Sequence, residues 1–254
     1  MGLALLKGWL AQGIGPVTVV EPKPSPEIKK LARKKAITLV ATPSVVSAKK
    51  IAACVVAIKP QVLKGEAPAL ANFAASGGLM ISIAAGTSIA ALSKAWGPKA
   101  RIVRAMPNIP GAIGAGTSGL YAAKGTTAAD RKLAVKLLSA LGAVVWVDKE
   151  TLIDSVTAVS GSGPAYLFLM AEALAAAGIS EGLPPAIAEK LARATVSGAG
   201  ALLAADKSSA VALREAVTSP GGTTAAALAV LLPELPPLMR RAVAAARKRA
   251  EELR

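Results

Sequence analysis

At 254 residues, 53% of them apolar, the chain has core enough for one large domain or two ordinary ones, and disorder is excluded as an overall state. With no histidine, His-ligated metal sites and Ser-His or Cys-His nucleophile pairs are excluded as well, so chemistry must run on a cofactor, hydroxyls, backbone dipoles or carboxylates. A net charge of +15 favours anionic partners, and the single cysteine, Cys54, permits no internal disulfide, which suits a reducing, cytoplasmic setting.

The opening GLALLKGWLA places Leu3, Leu6 and Leu10 at helical spacing; Gly13 and Pro16 end the pattern, and residues 17–20 read as a short buried strand. The start lacks a basic leader and a small-residue cleavage pattern, and is read as mature, soluble sequence. Ser25-Pro26-Glu27 is a cap with proline in the first turn, and the helix behind it is basic. Strands follow at ITLV, ACVVAI, LMISIA, RIVRAM, TSGLYA and VVWV, with helices after Pro43, through 63–73, after the cap Ser88 and over 127–141. Short apolar strands alternating with helices predict an α/β domain over residues 1–148, with a mostly parallel sheet covered on both faces.

After Lys149 the strand signals stop. Helices are predicted over 150–159, 164–177, 184–204, 208–217, 223–232 and from 235 to the end, an all-helical domain over 149–254. Glu172 interrupts the longest apolar run before the roughly 18 residues that a membrane span needs, so no membrane partner is expected. Segments such as LARATVSGAGALLAA have no clear polar face, and so small a domain has little interior to hide them; the excess predicts a homodimer. The basic residues scatter along helices and aromatics are only 3%, which fits solvated helix faces better than nucleic acid.

Five segments carry chemistry. Gly2 opens a helix and Glu21 ends the next strand about 20 positions later, the placing of the third glycine and the acidic residue in a G-x-G-x-x-G dinucleotide unit. Lys59-Pro60-Gln61 and Met106 to Pro110 follow strands, at the carboxyl edge where doubly wound sheets bind ligands, although rigid turns read the same way. SGSGPA, residues 160–165, places Pro164 at a helix start behind a flexible turn. In VTSPGGTTAAALAVLL, two glycines after Pro220 precede Thr223 and Thr224 at the start of an apolar helix. Unpaired N–H groups and the positive dipole end then face the turn, as a carboxylate or phosphate requires. Taken alone, that segment is equally a threonine-capped helix.

Together AIKPQVL, ISIAAGTSIAAL, RAMPNIPGAIGAG, ETLIDSVTAVSGSGPAYLFLMAEALAAAGI, GLP and VTSPGGTTAAAL, in this order and spacing, closely resemble the pyrroline-5-carboxylate reductase family, from Gly2 almost to the C-terminus. The resemblance implies a Rossmann-like N-terminal domain, here without its first strand, and an all-α C-terminal dimerisation domain that interlocks with its twin. It implies a homodimer, with a decameric ring of dimers as a further assembly, and hydride transfer from NADPH or NADH to the cyclic imine 1-pyrroline-5-carboxylate, giving L-proline. By the same resemblance Thr224 and Ser219 are the catalytic residues. Thr223, Thr224, Gly221, Gly222 and Glu150 are the substrate-binding ones. Cofactor contacts fall on Gly2, Ser44, Ala57, Ile58, Lys59, Pro60, Ile83, Ala84, Ala85 and Asn108, and no metal is implied.

Some positions depart from the family pattern. Relatives carry a strand and G-x-G before this point, often with a methionine directly ahead of the third glycine, which makes Met1 an internal methionine by that pattern. Ile109 stands where threonine is usual, Ala216 replaces an asparagine, Lys207 lies where glutamate is common, and LLPELPPL replaces a glycine-containing turn. Cofactor choice stays open, since Glu21 suits a free ribose hydroxyl and Lys23 a 2′-phosphate. Two other functions stay open beside the reductase: a related imine or ketone reductase acting on another anionic substrate, and a catalytically silent scaffold or nucleic-acid-binding relative.

Overall fold

The structure is a computed structural model and describes residues 1–253. α1 (Gly2–Ala11) opens the chain, and the indole N–H of Trp9 ties it down by donating to the Leu137 carbonyl at 2.8 Å. β1 (Thr18–Val20) and β2 (Thr38–Val40) pair in parallel around α2 (Pro26–Arg33), whose cap Ser25 accepts the Ile28 N–H as the sequence predicts.

A separate five-stranded sheet has the order β3 (Ala53–Val56), β4 (Leu79–Ser82), β5 (Ile102–Met106), β6 (Gly116–Ala122), β7 (Gly142–Trp146). Its pairs are parallel except β5 with β6. The mostly parallel character is as expected, but the sheet is in two pieces. Strands bond only at about 4.8 Å spacing, and among the described residues no strand bridges β1 to β3.

Side chains alternate across the larger sheet. Leu79 and Ile81 of β4 join Leu5 of α1 and Leu137 and Leu138 of α6 (Ala128–Leu138) on one face. Met80 joins the other face, covered by α3 (Pro60–Glu66), α4 (Ala71–Ala75) and α5 (Ile89–Trp96) through Leu63, Phe73, Leu92 and Trp96. Each such large side chain, fully buried, contributes about 1.5–3 kcal/mol, so these layers fix the loop ends of β3, β4 and β5.

Beyond residue 149 a short α7 (Leu152–Val156) runs into a π-helical turn, Thr157–Gly161, and then α8 (Gly163–Ser180). Of the turn expected at 160–163, Ser160 and Gly161 belong to the π-helical turn and Ser162 is a bend, and Pro164 stands in the first turn of α8, the helix start that the sequence predicts. In that first turn the missing proline N–H is no loss to α8, and the Ser160 carbonyl, four residues back, accepts from Asn108 Nδ2 at 3.0 Å.

Contacts divide the chain into two compact units, residues 1–161 with 247–253, and residues 162–246. In the second unit α8 packs on α9 (Pro185–Ala205), followed by α10 (Ala210–Ala216), capped by Ser209, and α11 (Thr223–Glu252). The break expected at 233–234 is absent, and α11 runs through Pro233, Pro236 and Pro237. The carbonyls those prolines leave without donors belong to Ala229, Leu232 and Pro233, all exposed, so water can serve them, and the Ala- and Arg-rich flanks are strong helix formers.

Only Ala188 and Ala192 of the second unit are buried, while Leu167, Phe168 and Leu169 of α8 are 58–63% exposed. Contrary to the expectation drawn from Glu172, the helical stretch Leu152–Ser180 is long and apolar enough to cross a membrane by length and composition alone.

Candidate active site

Four loops of the first unit meet the requirements of a dinucleotide site. The N–H of Ile83 donates to Val56 O at 3.1 Å, carrying the β3–β4 ladder one step past the strand, so Ala57 to Pro60 and Ile83 to Ala85 leave the sheet at the same carboxyl edge. Gly2 comes to this edge as well. A Cβ on Gly2 would stand 3.1 Å from that of Ala57, a tight approach, so glycine lets the first turn of α1 lie against the end of β3. No side chain caps that helix start, and its leading amides are open to an anion. The residues present therefore fit the nucleotide carrier that the sequence pattern implies.

Asn108, after β5, is held at both ends of its amide: Nδ2 donates to Ser160 O at 3.0 Å, and Oδ1 accepts the Thr117 N–H at 2.8 Å. What remains for a cofactor is its backbone and the second N–H of Nδ2. Ser44 follows β2 and lines a cavity of about 610 Å³ with Thr42, Val46, Glu66 and Asn72; its Oγ lies 2.9 Å from Thr42 Oγ1. Cys54, in β3, has no role here: burial pushes its thiol up to about 11, keeping it protonated and unreactive.

Glu150 sits in the first unit, in a charged cluster. Its Oε1 accepts from Arg104 Nη1 at 3.0 Å and from the Ile89 N–H, the first amide of α5, at 2.7 Å. Arg104 is 2% exposed and also faces Asp154, with Nη2 3.9 Å from Oδ1. Removing one partner from a buried ion pair typically costs on the order of 3–5 kcal/mol. The sequence reading missed Arg104 and Asp154. Their signal was a charge in the middle of the apolar strand RIVRAM and another within ETLIDSV, since buried charges are rare unless paired.

In the second unit, Ser219, Gly221, Gly222, Thr223 and Thr224 form one turn at the head of α11. Gly221 is in the left-handed region at φ 71°, and Gly222 N–H donates to Ser219 O at 3.0 Å. A Cβ on Gly222 would lie 2.5 Å from Ser219 Oγ, so any larger residue there displaces that hydroxyl. The first bond back into the turn is Ala226 N–H to Gly222 O, which leaves the amides of Thr223, Thr224 and Ala225 ahead of the helical ladder. Three N–H groups at the positive end of a 30-residue helix can hold a carboxylate.

The family model for pyrroline-5-carboxylate reductase dimerisation matches residues 150–253, and that for coenzyme F420-dependent NADP oxidoreductases matches residues 1–86. The pyrroline-5-carboxylate reductase of Pseudomonas aeruginosa is 39% identical over 232 residues, covering 90% of this chain and 84% of the relative. The solved pyrroline-5-carboxylate reductase of Coxiella burnetii superposes with a TM-score of 0.91 at 35% identity, over 99% of this chain and 94% of that one. That of Plasmodium falciparum, with NADP bound, gives 0.80 at 26% identity, over 100% and 94%.

Proposed function

The chain belongs to the pyrroline-5-carboxylate reductase family, and from that premise we propose how its own residues divide the work of an NAD(P)H-dependent reduction of 1-pyrroline-5-carboxylate to L-proline. The related-reductase and silent-scaffold alternatives are not favoured by its relatives.

When bound, NADPH or NADH supplies the hydride. Gly2, Ala57 to Pro60 and Ile83 to Ala85 hold its phosphates and nicotinamide half at the carboxyl edge of the sheet, Asn108 fixes the loop after β5, and Ser44 serves the adenosine end. The observation that carries the substrate assignment is the head of α11: Gly221 and Gly222 keep the turn open, and the amides of Thr223 and Thr224 take the substrate carboxylate. The Thr224 hydroxyl, with Ser219 beside the turn, lies to the ring nitrogen. An imine needs one proton, readily taken from water, so a site without histidine is sufficient, and position and electrostatics are what the protein contributes.

The exposed apolar residues of α8, with the all-round apolar character of α9, are the surface of a homodimer, in keeping with the dimerisation segment over 150–253. Rings of five such dimers and a cytoplasmic location belong to the same reading. The experiment is steady-state oxidation of NADPH by pyrroline-5-carboxylate with the wild type and Thr224→Ala. The variant should lose about 10²-fold in kcat, as when one catalytic hydrogen-bond donor is removed, while Thr224→Ser keeps most of the rate. Unchanged kinetics in Thr224→Ala would refute the role of that hydroxyl.

A further inference from the structure

We propose that Arg104 and the backbone N–H of Ile89 are a positioning pair for Glu150: both hold Oε1, and the other oxygen, Oε2, is the acceptor presented to the ring nitrogen of the substrate. The inference rests on the reading that Glu150 lies on the substrate side of the reaction.

Arg104 is well suited to hold another group still. Its backbone is locked between two ladders, opposite Ser82 of β4 and Tyr121 of β6, and its side chain is buried. The guanidinium fork reaches two carboxylates from one point, Nη1 to Glu150 and Nη2 toward Asp154 of α7, which orients the plane and not merely the charge. Ile89 supplies the second restraint from a different element, with the positive end of α5 behind it. Both donors fall on Oε1, and among the described residues Oε2 has no protein partner.

The Ile89 bond also joins Glu150 to the element that closes the loop after β4, where Ile83, Ala84 and Ala85 lie. A carboxylate fixed in this way has a chemical use. Hydride addition turns the planar nitrogen of a protonated imine into a tetrahedral amine that still carries N–H, and a fixed Oε2 can accept that N–H throughout without reorganising. The pair should therefore act on kcat more than on cofactor affinity.

The test is a double-mutant cycle in the full chain, reading kcat and KM for pyrroline-5-carboxylate, NADPH affinity by fluorescence, and thermal unfolding. Arg104→Lys keeps the charge and loses the fork. It should lower kcat at least tenfold with NADPH affinity within twofold of wild type, Glu150→Gln should do the same, and the double variant should be no worse than Glu150→Gln alone. Additive losses would overturn the clamp and leave the Glu150 reading standing; an unimpaired Glu150→Gln would sink that reading and the clamp with it.

Should Arg104→Lys fail to fold, Ile89→Pro answers in its place. It deletes the N–H, and with it the isoleucine side chain that packs on the core, for which Ile89→Val is the control; the first helical position tolerates proline, behind Ser88 at φ −77° and ψ 157°, a conformation that precedes proline readily. A tenfold kcat loss, absent from Ile89→Val and absent when Glu150 is already Gln, supports the pair. A loss under twofold rejects it.

Discussion

The Asn108 side chain donates to the Ser160 carbonyl, the same carbonyl that Pro164 deprives of a helical donor. One amide thereby satisfies a carbonyl just ahead of α8 and joins the loop after β5 to the π-helical turn.

Asn108→Ala strands two backbone groups, the Ser160 carbonyl and the Thr117 N–H. Each unsatisfied group costs about 1–3 kcal/mol when buried, and both of these sites are only partly so. A loss of about 2 kcal/mol in urea unfolding is expected, with hydrogen exchange quickening at 157–163 before the rest of the chain.

Gly222→Ala brings a Cβ to 2.5 Å from Ser219 Oγ without asking for a disallowed backbone. Ser219 Oγ must turn away from its place beside the amides, and its carbonyl, 3.2 Å from the same Cβ, must give slightly, so KM for pyrroline-5-carboxylate should rise about tenfold, equivalent to about 1.4 kcal/mol of binding, with little change in melting temperature. Adding Ser219→Ala removes the clashing hydroxyl and should recover much of the binding, though not kcat.

Phe168→Glu places a charge at a 60% exposed apolar position of α8. If that surface is the dimer interface, desolvating an unpaired carboxylate there is prohibitive. Sedimentation should show monomer where the wild type shows dimer or larger, whereas a free surface would leave the assembly unaltered.

Cys54 gives a pH dependence with a definite sign. Its folded pKa of about 11 exceeds the ordinary 9.0, so the folded chain keeps a proton that the unfolded one releases. The stability this contributes is complete below pH 9 and is lost as pH rises through 11. Chemical unfolding of the wild type should weaken across that window more steeply than that of Cys54→Ala, and a thiol reagent at pH 8 should label Cys54 more slowly in the folded chain than after denaturation.

Much of this was legible in the sequence because it depends on local rules. Caps at Ser25 and Ser88 are properties of a few neighbouring residues, and each falls where the sequence places it. The S-P-G-G-T-T turn was equally readable, since glycines ahead of threonines at a helix start force free amides into a loop whatever surrounds them. Composition likewise determined that histidine chemistry was excluded.

Tertiary structure alone decided the rest. That α11 passes through three prolines depends on its freed carbonyls lying at exposed residues, and the donor that the Ser160 carbonyl finds is Asn108, some 50 residues away. The division of the sheet between β1 and β3 is a matter of which strands meet. So is the Arg104, Glu150 and Ile89 cluster, whose members come from three separated segments. Hydrogen bonds and ion pairs act over about 3–4 Å of space and not along the chain, so a linear pattern names the groups, and only folding chooses their partners.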